Sequence, residues 1–211
     1  MLKEKAKLLD GEKLKRTITR LAHEIIESNP DLSELILVGI KTRGVPLAER
    51  LSSIIEAFEG VKIPVEEIDI LLYRDDLTEI SPAPEVSKGL LSSVVKKTVV
   101  LCDDVIFTGR TARAAIEAVM AAGRPSGIQL AVVVDRGHRE LPIKPDFVGK
   151  NVPTALSEVI SVKFVETDGV DEVSQHVQFG MEFSQFVRGF RYLDKRLCEN
   201  AFPFGLECVV L

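Results

Sequence analysis

Residues 99–115 read VVLCDDVIFTGRTARAA: an apolar run stops on two adjacent aspartates, and a Thr-Gly-Arg-Thr turn then opens into a run of small residues. Four consecutive apolar residues bounded by charge are the pattern of a strand buried on both faces, and 111–122 has helical character. A buried strand that passes directly into a helix is half of a crossover unit, and such units build parallel sheets. The rest of the chain repeats the alternation. ELILVGI (34–40) reads as a strand, KTRG (41–44) as a turn and 45–58 as a helix. VEEIDILLYR (65–74) and IQLAVVVD (128–135) are further strands, with shorter ones near 147–148 and 159–165. Leu14, Ile18, Leu21, Ala22 and Ile25 recur at helical spacing and predict an amphipathic helix over 12–28. TEISPAPEVSKG (78–89) has two prolines, a glycine and no apolar period, which reads as an exposed loop able to serve as a lid.

The totals narrow the function. Hydrophobic residues are 45% of the 211, ample for a core, and the net charge of -5 confines any nucleic-acid contact to a local basic face. No apolar run approaches the roughly 18 residues of a membrane span, so no membrane partner is expected. The N-terminal MLKEKAKLLDGEKLKR lacks the apolar core of a signal peptide. Cys102, Cys198 and Cys208 have no spacing suited to zinc or to a disulfide framework, so a reducing cytoplasm is expected.

In parallel sheets, ligands bind at the carboxyl ends of strands. Three charged or glycine-bearing loops fall there: KTRG, YRDD and DDVIFTGRT. A helix N-terminus offers unpaired N–H groups and a positive dipole end to a phosphate. Gly109 lets the backbone approach it, while Thr108 and Thr111 add hydroxyl donors. Asp103 and Asp104 suit the ribose hydroxyls of a ligand, or a Mg2+ beside them. The bland alternative is a capped helix after a strand with solvated aspartates. The nucleotide-triphosphate loop GxxxxGK[ST] is absent here, because no lysine follows the glycine.

The stretch 99–115 resembles the PRPP-binding signature of type I phosphoribosyltransferases. That resemblance implies an α/β fold: a central parallel sheet flanked by helices, with a small hood and a flexible loop. It implies that Asp103 and Asp104 hold ribose hydroxyls, that Asp103 borders Mg2+, and that Thr108, Gly109, Arg110 and Thr111 hold the 5′-phosphate of PRPP. Lys41, Thr42 and Arg43 then face pyrophosphate, and Arg74 closes on it from the loop. The catalytic set implied is Lys41, Arg43, Arg74, Asp103 and Asp104.

A narrower resemblance covers about residues 5–175. TRLAHE, VGIKTRGVPLAERL, EIDILLYRDDL and GRPSGIQLAVVVDRGHRELPIKPDFVGKNVPT are similar to the PyrR family of pyrimidine-operon regulators, whose members are also uracil phosphoribosyltransferases. It implies uracil and PRPP as substrates, UMP or UTP as effectors, pyrimidine-operon mRNA as a partner, and a homodimer or higher oligomer. Arg136 and backbone near Gly137 are the candidates for the base. Thr19, Arg20, His23, His138, Arg139, Lys144 and Lys150 match the RNA face, although Ser28 follows Glu27 where relatives often carry a basic residue. A nucleotide sensor with little catalysis, or a transferase for another base, remains open.

The expected domain is 1–177. Beyond it, Phe179, Phe183, Phe186, Phe190, Leu193 and Leu197 recur at three- and four-residue steps, which predicts an extra amphipathic helix within a 178–211 extension.

Overall fold

The computed structural model describes residues 2–70 and 94–178. The loop at 78–89, Arg74 and the extension beyond Gln178 lie outside the described residues.

Strands β2 (Leu35–Ile40), β3 (Val65–Ile68), β4 (Thr98–Ile106), β5 (Gly127–Asp135) and β6 (Phe147–Asn151) form one sheet in the order β3-β2-β4-β5-β6. Every neighbouring pair is parallel. The period of two in a strand sorts its apolar side chains onto opposite faces. Leu35 and Leu37 of β2, with Val100 and Cys102 of β4, join Leu14, Leu21, Leu47 and Leu51 of helices α1 (Gly11–Ser28) and α2 (Gly44–Glu59). Ile36, Val38, Val99 and Leu101 point the other way, against Ala112, Ala115 and Val119 of α3 (Arg110–Ala122). The sheet is therefore covered on both faces, as uninterrupted apolar strands require.

A second sheet is antiparallel, in the order β1-β8-β7, from β1 (Leu2–Leu9), β7 (Glu158–Lys163) and β8 (Glu172–Gln178). This is the hood. One turn of helix, α4 (Val165–Asp168), joins β7 to β8. Arg50 of α2 fastens the hood to the main sheet's helices. Its guanidinium donates to Glu166 at 2.7 and 2.8 Å and to Asp171 at 2.7 and 3.0 Å.

Three sequence expectations are corrected. The strand expected over 65–74 ends at Ile68, with Asp69 and Ile70 already outside the ladder. The strand expected to stop on the two aspartates runs on to Ile106, so both sit within β4. The one expected over 159–165 spans 158–163, and Val165 starts α4 instead. Strands β1 and β8 were not anticipated. β1 is completed only by β8, with Lys3 paired to Val177 and Leu9 to Val173, while β8 also pairs with β7.

Candidate active site

Two glycines bring the β2–α2 turn onto β4. A Cβ on Gly44 would lie 2.1 Å from the Cys102 carbonyl oxygen, and one on Gly39 would lie 2.5 Å from Val45 Cα. No side chain fits at either place, so the turn lies directly over the end of β4. Lys41, Thr42 and Arg43 occupy that turn, and the Lys41–Thr42 peptide is cis. They share a cavity of 410 Å³ with Asp69, Asp103, Asp104 and Thr111. An adjoining pocket of 340 Å³ is lined by Asp103 and by Phe107 to Thr111. The two cavities share Asp103, Val105 and Thr111 in their walls, so they lie side by side at the ends of β2 and β4. A larger cavity, 830 Å³, lies between α1 and α2 beside Ile18, Ile54 and Arg50, away from this chemistry.

The aspartates hold themselves in place. Asp103 Oδ1 accepts the Asp104 N–H at 3.0 Å, and Asp104 Oδ1 accepts the Val105 N–H at 2.8 Å. Both side chains open partly onto the cleft, but the protein mass around them disfavours charge. Desolvation is the main cause that pushes the Asp103 carboxyl well above the ordinary range, and the adjacent Asp104 pushes it further. Desolvation raises Asp104 too, opposed by the Val105 N–H and by the charge of Arg43. A pair of acids kept uneasy in this way is stabilised by hydroxyl donors or by a hard cation.

Helix α3 starts at the same edge. Its N-cap is Gly109 at φ 93°, in the left-handed region that favours glycine, and no side chain caps the helix. The Arg113 N–H closes the first turn on the Gly109 carbonyl at 2.9 Å. The Arg110 N–H reaches Thr108 Oγ1 at 3.4 Å, and the N–H groups between it and Arg113 have no intrahelical acceptor and suit an anion.

The cationic wall is partly engaged. Lys41 Nζ pairs with Glu67 at 2.8 Å. Arg43 Nε and Nη2 donate to the two carboxylate oxygens of Asp168 at 3.1 and 2.8 Å. This fork holds the Asp168 carboxyl far below the usual range and strengthens the Arg43 charge. Arg74 lies outside the described residues.

The base candidates come out differently from expectation. Arg136 is only 7% exposed and sits over the Phe107 ring, 4.1 Å from its centroid. It donates to Thr154 Oγ1 at 3.2 Å and to the Ala155 carbonyl at 3.4 Å. The Gly137 N–H donates to Asp135 Oδ1 at 2.9 Å. Both expected groups are thus committed within the protein, and they shape the wall beside Phe107 rather than project from it.

The seven RNA candidates divide between two places. Thr19, Arg20 and His23 lie on α1, whose Arg20 donates to the Val148 and Gly149 carbonyls of β6 at 3.0 and 2.6 Å. Lys150 is exposed on β6 close by. His138 and Lys144 are exposed on the β5–β6 loop, whose Ile143 packs on the α3 face of the sheet. Arg139 is a correction to the sequence reading. Its guanidinium donates to the Phe107, Gly137 and Ile143 carbonyls and to Asp135, so it is an internal strut and not a surface cation.

Four residues at the site escaped the sequence reading. Phe107 passed as an apolar spacer within DDVIFTGRT, though an aromatic between strand and phosphate turn was a usable signal. Asp69 was assigned to the interior of a strand. Asp168 and Thr154 have no local signal, because the tertiary fold alone brings them to Arg43 and Arg136.

A phosphoribosyl transferase domain model matches residues 5–167. Bifunctional protein PyrR of Clostridium perfringens (strain SM101 / Type A) is 57% identical over 170 residues, covering 80% of this chain and 96% of its own. The chain belongs to the PyrR family. The PyrR protein of Chloroflexus aurantiacus is 59% identical over 167 residues, covering 79% and 92%. A hypoxanthine-guanine phosphoribosyltransferase from Bacillus anthracis superposes with a TM-score of 0.61 at 15% identity, covering 84% of this chain and all of its own. The hypoxanthine phosphoribosyltransferase of Trypanosoma cruzi gives 0.62 at 15%, covering 83% and 98%. Those two likenesses establish the type I phosphoribosyltransferase fold for this PyrR-family chain, a phosphoribosyltransferase by its domain.

Proposed function

We propose that this chain converts uracil and PRPP to UMP and pyrophosphate, and that its uridine-nucleotide complex binds pyrimidine-operon mRNA to regulate the operon's expression. The observation that carries the catalytic half is the shared cleft in which Asp103 and Asp104 face Lys41–Arg43 beside the open N-terminus of α3. Family membership carries the base and the RNA.

In this reading the uracil nitrogen forms a bond to the anomeric carbon as that carbon's bond to the pyrophosphate oxygen breaks. The nitrogen's proton leaves to solvent, and pyrophosphate departs with the bonding electrons. Positive charge develops on the sugar and negative charge on the leaving group. Asp103 and Asp104 accept from the ribose hydroxyls and stand close to the developing positive charge. Lys41 and Arg43 oppose the charge on pyrophosphate, while Thr108–Thr111 hold the 5′-phosphate. The lid roles expected for Arg74 and the 78–89 loop fall outside the described residues.

The donor set fits Mg2+. Among the described residues no group of three metal-ligating side chains is assembled. Mg2+ is commonly held by one or two carboxylates together with substrate phosphates, and Asp103 and Asp104 offer hard oxygens of that kind. When bound with PRPP, the ion would neutralise pyrophosphate and draw the aspartates into their charged form.

The RNA half rests on Thr19, Arg20, His23 and Lys150 beside β6, with His138 and Lys144 on the neighbouring loop. Single-stranded loop bases supply specificity and phosphates supply salt-dependent affinity. The catalytic unit is 1–177, with 178–211 an appended segment. We place the protein in the cytoplasm as a homodimer or higher oligomer; no helix among the described residues is long and apolar enough to cross a membrane.

An assay of UMP formation with uracil, PRPP and Mg2+ tests the enzyme, run beside Asp104→Asn. Activity that needs Mg2+ and falls at least about a hundredfold in the variant is expected. Turnover of hypoxanthine but not uracil would sink the substrate assignment. Titration of a pyrimidine-operon leader hairpin with and without UMP tests the regulator, and an affinity indifferent to UMP would remove it.

A further inference from the structure

Two loops that sequence reading assigns to separate tasks are tied into one body. Loop 107–111 is the phosphate turn, and loop 135–144 carries the base-side and RNA-side candidates. The Arg139 guanidinium bridges them: Nη1 donates to the Phe107 carbonyl at 2.6 Å, while Nη2 donates to Asp135 Oδ2, also at 2.6 Å. Nε donates to the Ile143 carbonyl at 2.9 Å, which fixes the far end of the second loop. The backbone adds an independent tether. The Glu140 and Leu141 N–H groups both donate to the Thr108 carbonyl, at 3.0 and 3.2 Å. The loops also touch directly, since a Cβ on Gly109 would lie 3.5 Å from Leu141 Cβ.

The second loop needs holding. Gly137 and His138 are consecutive left-handed residues, at φ 78° and 60°, and His138 is not a glycine. Such a conformation persists only where the surroundings over-determine it. Asp135 does this from below by accepting both the Gly137 N–H and Arg139. His138 stands exposed on this backbone, its ring edge-on to Phe107 and its Nε2 2.5 Å from the Thr154 carbonyl, so Arg139 and Asp135 share the task of holding it with those contacts.

We propose that Arg139 is a positioning residue that fastens the 135–144 loop to the phosphate turn, so that a nucleotide 5′-phosphate held at 108–111 also sets the loop that faces the base and the RNA. This rests on the nucleotide and RNA reading given above. It replaces a contact role for Arg139 with a transmitting one. The site that reads UMP and the surface that reads RNA then share one loop, and coupling follows when a bound phosphate favours the loop geometry that RNA binds better.

The test compares the full chain with Arg139→Gln and Asp135→Asn. The second variant keeps an acceptor for the Gly137 N–H but loses the charge that holds Arg139. Four quantities are measured: UMP Kd by calorimetry, KM for uracil and for PRPP, kcat, and RNA-hairpin affinity across a salt series with and without saturating UMP. In both variants uracil KM and UMP Kd are expected to rise about tenfold, as for loss of a charge-assisted hydrogen bond, with kcat within about twofold. PRPP KM should rise less, because Lys41–Arg43 and the two aspartates also hold that substrate. The gain in RNA affinity on adding UMP should shrink, while the salt slope stays that of the parent. A slope lower by about one in Arg139→Gln would mean a direct phosphate contact and overturn the proposal. Unchanged UMP Kd and uracil KM in both variants would overturn it too. If the parent binds no hairpin, the RNA reading fails and the UMP and uracil measurements still decide. If Arg139→Gln does not fold, Asp135→Asn decides.

Discussion

Arg43 of the β2–α2 turn grips Asp168 of the hood through two parallel hydrogen bonds, Nε to Oδ2 and Nη2 to Oδ1. The fork crosses from the main sheet to the antiparallel one and fixes the direction of a guanidinium that lines the cleft. Asp168 also accepts the Phe164 N–H at 3.2 Å and the Thr167 hydroxyl at 2.8 Å, so the acceptor is itself held.

Asp168→Asn should therefore loosen Arg43 without removing it. PRPP KM is expected to rise about three- to tenfold from lost orientation, with a smaller change in kcat. The bridge is partly solvated, so its contribution to stability is modest, about 1 kcal/mol or less, or a Tm lower by about 2–4 °C. The pH sign follows from the depressed Asp168 carboxyl. Its contribution is fully present above the ordinary carboxylate pKa and is lost as pH falls through the depressed one. The variant's Tm should thus approach the parent's in acid, as a thermal-melt pH series would show. A constant difference at all pH values would contradict this.

Asp103 works in the opposite sense. Its carboxyl is raised by burial and by Asp104, so the folded chain holds the proton more tightly than the unfolded chain does. Its contribution to stability falls as pH rises from the ordinary Asp range through the raised folded value. Asp103→Asn keeps an acceptor for the Asp104 N–H and removes the charge. We expect a Tm at pH 8 higher by about 2–4 °C together with activity lower by about a hundredfold or more. Melting and UMP formation, measured on one preparation, check both halves.

Gly44 and Gly127 make a contrasting pair. A Cβ at Gly44 meets the Cys102 carbonyl carbon and oxygen, both backbone, at 3.1 and 2.1 Å, whereas a Cβ at Gly127 meets nothing within 4 Å. Gly44→Ala should cost about 3 kcal/mol or more and displace the Lys41–Arg43 turn, while Gly127→Ala should stay within about 0.5 kcal/mol of the parent. Urea unfolding of the two variants measures this directly.

Gly109→Ala isolates the phosphate turn. Its left-handed backbone costs a side chain about 1–2 kcal/mol, and the Cβ would touch Leu141 and Ile143 at 3.5 and 3.6 Å. The expected result is a modest Tm loss with a rise of about tenfold in PRPP KM. An unaltered KM would show that the turn does not hold the 5′-phosphate.

Legibility followed sequence distance. α1 was readable because Leu14, Ile18, Leu21, Ala22 and Ile25 report their own periodicity, and all five are buried. The phosphate turn was readable because its strand, glycine and helix lie within 17 consecutive residues. β1 was not, since LKEKAKLL is a strand only when β8 arrives from more than 160 residues away. Arg139 misled because an arginine in DRGHR looks the same in sequence whether it faces water or four internal acceptors.

The pattern over 99–115 alone carried a buried strand, two adjacent aspartates and a helix start, because local propensity and patterning act over short stretches. What stands opposite them is set by long-range packing. The close approach at Gly44 brings Arg43 beside Asp104, the hood supplies Asp168, and Arg139 joins the phosphate turn to the loop beyond β5. Those contacts depend on chain closure between distant segments, and no single stretch of residues encodes them.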